Sequence, residues 1–305
     1  MARWTNADMS PQHDRTAIVT GTGGLGFEDA LALARAGARV VVAGRNAAKG
    51  AEAVSRIQAA VPLAYVNFEA LDLADLASIA AFAARIAERH GMIDMLINNA
   101  GVMVPPRRKV TADGFELQLG TNYLGHFALT AHLLPLLSES ARVVSLSSVA
   151  ARAGSIDFDD LNSTRAYAAM KAYSQSKLAC LMFALELQRR SDAQGWGILS
   201  IASHPGIART DLLHNGPGRR SAHGLARTLL PFLFQPADRG ALPTLYAATA
   251  RDAVGGAYYG PDGIAEVRGY PTLAKVPAQA LDQDVAVRLW QASEELTGVC
   301  FPEGA

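Results

Sequence analysis

The stretch of chain from Val19 to Asn46, VTGTGGLGFEDALALARAGARVVVAGRN, constrains the fold most strongly. It predicts a β-strand, a glycine-rich turn, an amphipathic helix and a second strand, in that order. Gly21, Gly23 and Gly26 match the G-x-G-x-x-G spacing, which lets the backbone approach a pyrophosphate at the N-terminus of a helix. We therefore expect a dinucleotide-binding unit here; the alternative is an ordinary turn that happens to be rich in glycine.

The alternation of strands and helices continues along the chain. Short apolar runs predict strands at 16–20, 39–43, 62–73, 93–99, 141–148 and 197–205. Helical patterns occupy 25–37, 46–60, 75–90, 112–137, 166–190, 237–250 and 281–297. Repeated βα units predict an α/β fold with a doubly wound parallel sheet of about seven strands and helices on both faces. No linker is visible, so we expect one domain over residues 15–305 after an N-terminal extension, residues 1–14.

The composition limits the classes of partner. The 28 basic and 28 acidic side chains give a formal net charge of zero, which argues against a partner of nucleic acid. Residues 1–14 lack the apolar core of a signal peptide, and no apolar run is long enough to predict a membrane span. Cys180 and Cys300 form no CxxC pair, which favours a reducing, cytoplasmic compartment. No metal is expected, because three histidines lack metal-ligand spacing and are interpreted as structural or surface residues: His126, His204 and His223.

Polar residues or glycine end six of the predicted strands. The carboxyl ends of parallel strands meet at one edge of a sheet, so we expect these residues to lie together. They are Thr20-Gly21, Gly44-Arg45, Asp72, Asn98 to Gly101, Ser147-Ser148 and His204 to Gly206. Asp72 is expected to accept a hydrogen bond from an adenine amino group, with Leu73 covering the ring, or to cap the helix near Leu76.

The end of the second predicted strand bears on the choice of cofactor. An NAD(H) site usually places Asp or Glu there, to bind the ribose 2′-hydroxyl. Here Gly44 stands at that position and Arg45 follows, and a guanidinium suits a 2′-phosphate through paired, charge-assisted hydrogen bonds. We therefore expect Arg45 and its neighbour Asn46 to contact the cofactor and to favour NADP(H) over NAD(H). The alternative for Arg45 is a solvated side chain at the start of a helix.

One predicted helix carries a candidate acid-base group. The sequence AYSQSKLA places Tyr173 and Lys177 four residues apart on one helix face. A tyrosine ordinarily titrates at about 10, and a cation one turn away should lower that pKa by stabilising tyrosinate. Ser148, at the end of the fifth strand, is placed to hold a substrate oxygen beside the Tyr173 hydroxyl. The alternative for Tyr173 is an ordinary residue of an amphipathic helix.

The chain resembles the short-chain dehydrogenase/reductase family over residues 15–300. The motifs that carry the resemblance occur in the family's order: the glycine turn, NNAG (98–101), TNYLGHF with Asn122, Ser148, YSQSK (173–177) and HPG (204–206). Finer features resemble the subgroup of retinol dehydrogenases, WW-domain oxidoreductases and protochlorophyllide reductases: GHF after Asn122, FDDLN (158–162) and RLWQASEELTG (288–298). The resemblance implies a single-domain Rossmann fold and hydride transfer between a nicotinamide and a small-molecule ketone, aldehyde or alcohol.

The resemblance also implies catalytic roles. Tyr173 would be the general acid in carbonyl reduction and the base in alcohol oxidation. Lys177 would lower the Tyr173 pKa and bind the nicotinamide ribose, and Ser148 would polarise the carbonyl. Asn122 would support a water that relays protons to Lys177. Ser147 is the alternative to Ser148 as the catalytic serine.

Further cofactor contacts follow from the same resemblance. They are Gly21, Thr22, Gly23, Gly24, Leu25 and Gly26 in the turn, Asn99, Ala100 and Gly101 beside a ribose, and Pro205, Gly206 and Ile207 around the nicotinamide. Relatives usually read T-G-x-x-x-G-x-G, whereas this chain is one residue shorter, so the family's last two glycines correspond to Gly24 and Gly26. The missing position often helps to hold the 2′-phosphate or the adenosine ribose in NADP-preferring relatives. Arg45 would therefore carry more of the NADP preference alone.

The sequence leaves the substrate and the assembly open. Residues 207–235 form a predicted lid with an apolar segment, 229–234, which favours a hydrophobic or aromatic carbonyl; the alternative is a helix packed against the body of the protein. A non-catalytic regulator that senses NADP(H) is the alternative function, and a light-driven reductase is a third. The long segment between Ser148 and Tyr173 leaves a monomer and a homo-oligomer both possible.

Overall fold

An eight-stranded sheet forms the centre of the computed structural model, which describes residues 3–208 and 235–302. The strands are β1 Thr16–Thr20, β2 Arg39–Gly44, β3 Val66–Ala70, β4 Ile93–Asn98, β5 Leu137–Leu146, β6 Leu199–Ser203, β7 Tyr258–Pro261 and β8 Pro271–Leu273. Their spatial order is β3-β2-β1-β4-β5-β6-β7-β8. Strands β1 to β7 pair in parallel, and β8 pairs with β7 in the antiparallel sense. The predicted doubly wound α/β sheet is confirmed, with a short antiparallel edge strand beyond the expected seven.

Helices cover both faces of the sheet in the described ranges. They are α1 Gly24–Arg35, α2 Ala47–Ala60, α3 Leu76–Arg89, α4 Gly125–Leu133, α5 Ala169–Gln194, α6 Ala237–Thr249 and α7 Gln283–Thr297. Strand β1 shows why both faces need cover: Ile18 lies in one buried apolar cluster, and Ala17 and Val19 lie in the other. A strand that is apolar on both sides is typical of a parallel sheet between two helical layers. No helix in these ranges is long and apolar enough to cross a membrane.

The helix predicted over 112–137 is wrong in its extent. The chain instead forms a π-helical segment Leu119–Leu124, then α4, then a single 3-10 turn Leu134–Leu136. Pro135 lies in that turn, and proline lacks the N–H that a continuing helix needs. Strand β5 therefore begins at Leu137, earlier than the predicted residue 141, and its register with β4 shifts between Ile93 and Met95.

The strand order places a crevice at the carboxyl ends of β1 and β4. Strand β2 lies on one side of β1 and strand β4 on the other, so the direction of the strand order reverses between β1 and β4. Ligands bind at such a switch point in open α/β sheets. In the N-terminal extension, Trp4 packs edge-on against Tyr246 of α6 at 5.5 Å between ring centroids. Most of the predicted lid, residues 209–234, lies outside the described residues.

Candidate active site

The end of β5 is joined to α5 through three consecutive residues. The carbonyl oxygen of Leu146 accepts a hydrogen bond from Lys177 Nζ at 2.8 Å. The Ser147 hydroxyl donates to the carbonyl oxygen of Lys177 at 2.7 Å. The Ser148 hydroxyl lies close enough to the Tyr173 hydroxyl to lower its pKa. Three of the four predicted catalytic residues are therefore brought together where the sequence placed them.

The two serines point to different partners. Ser147 is buried, and its hydroxyl donates to the α5 backbone and lies near the Tyr258 hydroxyl, whose pKa it lowers. Ser148 is half-buried, caps the 3-10 turn Val149–Ala153 by accepting from the Ala150 N–H at 3.2 Å, and contacts Tyr173. Since a substrate oxygen must lie beside the tyrosine hydroxyl, this geometry favours Ser148 over Ser147.

The pKa of Tyr173 in the free chain is raised and not lowered. Burial raises this pKa to about 12, and the nearby Ser148 hydroxyl only partly offsets that shift. A lowering of the Tyr173 pKa by Lys177 stays a prediction. Burial also lowers the pKa of Lys177. The physical reason is that both side chains are removed from water, at 5% and 4% exposure, while Lys177 Nζ is committed to the Leu146 carbonyl. Tyr173 is thus protonated at neutral pH.

Asn122 lies in the π-helical segment and holds the chain that follows β4. Its Oδ1 accepts from the Val102 N–H at 2.7 Å, and its Nδ2 donates to the Val102 carbonyl and to Ser176 Oγ, both at 3.0 Å. A Cβ at Gly101 would lie 2.9 Å from Asn122 Oδ1 and 3.8 Å from Lys177 Nζ. Asn122 and Lys177 therefore face one small space beside Gly101. Since Oδ1 keeps one lone pair free, the predicted relay water is expected on Oδ1.

His126 was not predicted as a site residue, yet it fixes the backbone of Asn122. Its Nδ1 lies 2.9 Å from the Asn122 carbonyl oxygen, and its Nε2 lies 3.0 Å from Thr20 Oγ1. A carbonyl can only accept, so the ring proton is on Nδ1. Burial lowers the His126 pKa to about 4, which keeps the ring neutral. Thr20 Oγ1 also accepts the N–H groups of Asn99 and Ala100, both at 2.9 Å. Sequence reasoning had only the GHF motif as a signal for this link.

The remaining histidines agree with a structural interpretation where they can be seen. His204 is fully buried and bonded to Glu266 at 2.9 Å. His223 lies outside the described residues. In the part of the chain that the structure describes, no group of three or more His, Cys, Asp or Glu side chains could hold a metal ion.

The glycine turn leaves the space that a dinucleotide needs. Gly21 has φ +101°, and a Cβ there would lie 2.8 Å from Asn99 Nδ2, so the turn and the NNAG segment approach each other closely. Gly23 precedes α1 as its N-cap without a side-chain cap, and a Cβ there would meet no atom within 4 Å. The first N–H groups of α1 are therefore open to an anion. The residues present fit a nicotinamide dinucleotide.

Not every residue of the turn faces this opening. Thr22 lies beside Gly44, where an added Cβ would be 2.9 Å from Thr22 Cγ2. Gly24 begins α1 with φ +54°. Leu25 is buried and packs with Leu146 and Ala208, so only its backbone is available to a ligand. Gly26 faces inward, where a Cβ would lie 2.6 Å from the Gly21 carbonyl oxygen.

Arg45 and Asn46 follow β2 and are exposed. Arg45 has no hydrogen bond or ion pair with any residue of the described ranges, so its guanidinium is available. Asn46 is the N-cap of α2, and its Oδ1 accepts from the Lys49 N–H at 3.0 Å. Its acceptor is therefore used within the helix, and Arg45 is the better candidate for a phosphate contact.

Asp72 is not the cap of α3, which was one of its two predicted roles. Asp75 is the N-cap instead and accepts from the N–H groups of Ala77 and Ser78. Asp72 Oδ1 accepts from the Ala74 N–H at 2.9 Å, in the turn before the helix. Leu73 is buried in the main core, so its side chain leaves little surface for a ring. An adenine contact by Asp72 stays a prediction.

A family model described as short chain dehydrogenase matches residues 15–218, about two thirds of the chain. The chain belongs to the short chain dehydrogenase family. Its members are oxidoreductases, and the site described above supplies the serine, tyrosine and lysine that the family resemblance predicted. The chain is accordingly an oxidoreductase with a nicotinamide cofactor.

Individual relatives agree over nearly the whole length of this short chain dehydrogenase. Human retinol dehydrogenase 13 is 44% identical over 94% of this chain and 86% of the relative. Mouse polyprenol dehydrogenase is 41% identical over 95% and 86%. A crystal structure of an uncharacterized protein from Mycobacterium paratuberculosis superposes with a TM-score of 0.82 at 40% identity, over 99% of this chain and 100% of that one. A short chain dehydrogenase from Burkholderia cenocepacia in complex with NADP gives a TM-score of 0.63 at 25% identity, over 81% and 95%.

Proposed function

We propose that the chain interconverts a ketone or aldehyde and an alcohol with NADP(H), on a hydrophobic or aromatic substrate. One observation carries the proposal. The hydroxyls of Ser148 and Tyr173 lie beside each other at the carboxyl edge of the sheet, with Lys177 one helical turn away. A carbonyl oxygen that binds both hydroxyls would accept a hydrogen bond from Ser148 and a proton from Tyr173.

Each residue then has a defined task. Bound in the crevice, the nicotinamide supplies the hydride for reduction or accepts it in oxidation. Tyr173 holds a proton on its hydroxyl at neutral pH and donates it to the carbonyl oxygen as negative charge develops there. Ser148 donates a hydrogen bond to the same oxygen and polarises the carbonyl. In the reverse direction Tyr173 must first lose its proton, and Lys177 stabilises the tyrosinate through its positive charge.

Two observations support NADP(H) over NAD(H). The exposed Arg45 guanidinium lies directly after Gly44, which stands where an acidic residue would bind a ribose 2′-hydroxyl. A structural relative at 25% identity was crystallised with NADP. A 2′-phosphate would make charge-assisted hydrogen bonds with Arg45 that NAD(H) cannot make.

The names of the relatives support an apolar substrate. Retinol and polyprenol, for which two relatives at 44% and 41% identity are named, are isoprenoid alcohols. In this chain Val102, Met103 and Val104 are half-buried after the NNAG segment, and Ile207 is 36% exposed at the end of the HPG segment. We infer that these partly exposed side chains offer apolar surface to the substrate. The expected cytoplasmic location stays a prediction.

The test is a panel of retinal, a polyprenal, aromatic ketones and short aliphatic ketones, each with NADPH and with NADH. Loss of cofactor absorbance reports turnover. We expect kcat/KM to be higher for the apolar members and higher with NADPH. Binding of NADPH without turnover on any member, or on the matching alcohols with NADP⁺, would instead favour a regulator that senses the cofactor.

A further inference from the structure

The turn between β7 and β8 packs behind the HPG segment, and the Glu266 carboxylate is its centre. Glu266 Oε2 accepts from His204 Nε2 at 2.9 Å and from Arg152 Nη2 at 2.5 Å. Glu266 Oε1 accepts from the Lys275 N–H at 3.0 Å. Arg152 also donates from Nη1 to the Ala265 carbonyl at 3.2 Å. One carboxylate therefore joins the end of β6, the turn that follows Ser148 and the residues just after β8.

The ring of His204 transmits this contact to the HPG backbone. Its Nδ1 accepts from the Gly206 N–H at 3.2 Å, so the ring proton is on Nε2 and is donated to Glu266. The neighbouring Ile207 N–H donates to the Val267 carbonyl at 2.8 Å. Gly206 has φ +62° and lies directly against Val267, where a Cβ would collide with its carbonyl oxygen. The shape of residues 204–207 is thus set by residues 266 and 267.

The backbone at Glu266 is itself strained. Ala265 and Glu266 have φ values of +54° and +57°, a conformation that L side chains rarely adopt, and here two non-glycine residues adopt it in succession. Such a conformation persists only where the surroundings determine it. The three contacts of the Glu266 carboxylate and the Arg152 contact to the Ala265 carbonyl stabilise this backbone conformation.

The geometry points to Glu266 as a positioning residue for the nicotinamide half of the cofactor. It rests on the proposed function, in which residues 205–207 cradle the nicotinamide. Glu266 touches no reacting atom and acts through His204 on the Gly206 N–H. Within the described ranges, Arg45 and the glycine turn, where the adenosine half of the cofactor is expected, have no hydrogen bond or ion pair with Glu266, His204 or Arg152. Loss of Glu266 should therefore weaken one half of the cofactor site and spare the other.

The test compares two ligands on the full chain by titration calorimetry. NADPH uses both halves of the site, whereas adenosine 2′,5′-bisphosphate uses the adenosine half alone. For Glu266→Ala we expect NADPH to bind more weakly and turnover to fall, each by about 10- to 100-fold, the range for a slight misplacement. The affinity for the bisphosphate should be unchanged. Asp262→Asn is the matched control, because Asp262 caps the same turn through the Tyr270 N–H and does not contact residues 204–207.

Glu266→Gln keeps the test decisive if Glu266→Ala does not fold. Its amide oxygen can still accept from His204 but carries no charge for Arg152, so we expect a smaller loss of NADPH affinity, again with the bisphosphate unchanged. Equal losses for both ligands, or unchanged NADPH affinity in a folded variant, would overturn the role of Glu266. Failure of the unaltered chain to bind NADPH would overturn the proposed function itself.

Discussion

The two sides of the crevice are built in opposite ways. On the catalytic side, the polar groups at the end of β5 and on α5 already meet. Lys177 bonds to Leu146, Ser147 bonds to Lys177, and the Ser148 hydroxyl lies beside that of Tyr173. On the side of the glycine turn, Gly23 faces open space and the exposed Arg45 has no partner among the described residues. The fold alone therefore forms the contacts among the catalytic residues, whereas the groups expected to bind phosphate gain their partners only when the cofactor binds.

Removal of the Tyr173 hydroxyl should lower turnover the most, since it removes the proton donor from the catalytic side. For Tyr173→Phe we expect kcat to fall by about 10²- to 10⁴-fold, the usual worth of a positioned acid or base. NADPH affinity, measured by the change in its fluorescence, should be little affected. Unchanged turnover on the best substrate of the panel would contradict the assignment of Tyr173.

On the catalytic side, the two serines should have different effects. Ser148→Ala should lower kcat by about 10²-fold, because a donor to the developing oxyanion is lost. Ser147→Ala should mainly lower the free energy of unfolding, by about 1 kcal/mol for one buried hydrogen bond. Steady-state kinetics and urea unfolding of both variants separate these effects. The reverse pattern would make Ser147 the catalytic serine.

Arg45 tests the open side. Arg45→Asp should shift the NADPH/NADH ratio of kcat/KM toward NADH by about 10- to 100-fold, because a charge-assisted pair is replaced by repulsion of the 2′-phosphate. Lys49→Asp is the matched control, a change of the same charge on the exposed surface of α2. If the ratio does not move in Arg45→Asp, or moves equally in both variants, the role of Arg45 is wrong.

Asp29, on α1 behind the glycine turn, should affect stability rather than catalysis. It is fully buried without a hydrogen-bond partner among the described residues, and burial, with Glu28 nearby, raises its pKa well above the ordinary value. The folded chain therefore keeps a proton that the unfolded chain releases above about pH 3.9. Stability is lost as pH rises from there to the folded pKa, at about 1.4 kcal/mol per pH unit.

Asp29→Asn should remove this loss. At neutral pH we expect a higher melting temperature than that of the unaltered chain. At about pH 3 we expect no gain, because Asp29 is then protonated in both the folded and the unfolded chain. Glu52→Gln, an exposed acid on α2, is the control and should change neither value. A gain of the same size at low pH would show that the effect of Asp29→Asn is not electrostatic.

The sequence predicted the layout of the fold well, because its determinants are local. Short apolar runs rich in β-branched residues located the ends of β1, β2, β4 and β6 within one or two residues. The position of Ser148 after β5 followed from the strand order. The break at Pro135 was missed. Strands β7 and β8 were also not located, since runs of four and three residues are too short to show a period.

Side-chain environments could not be predicted in the same way. The raised pKa of Tyr173 depends on burial by residues distant in the sequence, and so does the neutral state of His126. The contact of Glu266 with His204 joins residues 62 apart. No local pattern encodes such a pair, and only the fold brings its members together.

Crystal structures of the free chain and of its complex with NADP⁺ would show whether the catalytic side is already formed before the cofactor binds. The three contacts from Leu146, Ser147 and Ser148 to α5 should have the same distances in both structures. Changes of position should concentrate in residues 21–26 and in Arg45. A free structure in which Ser148 and Tyr173 lie apart, and meet only in the complex, would contradict the account.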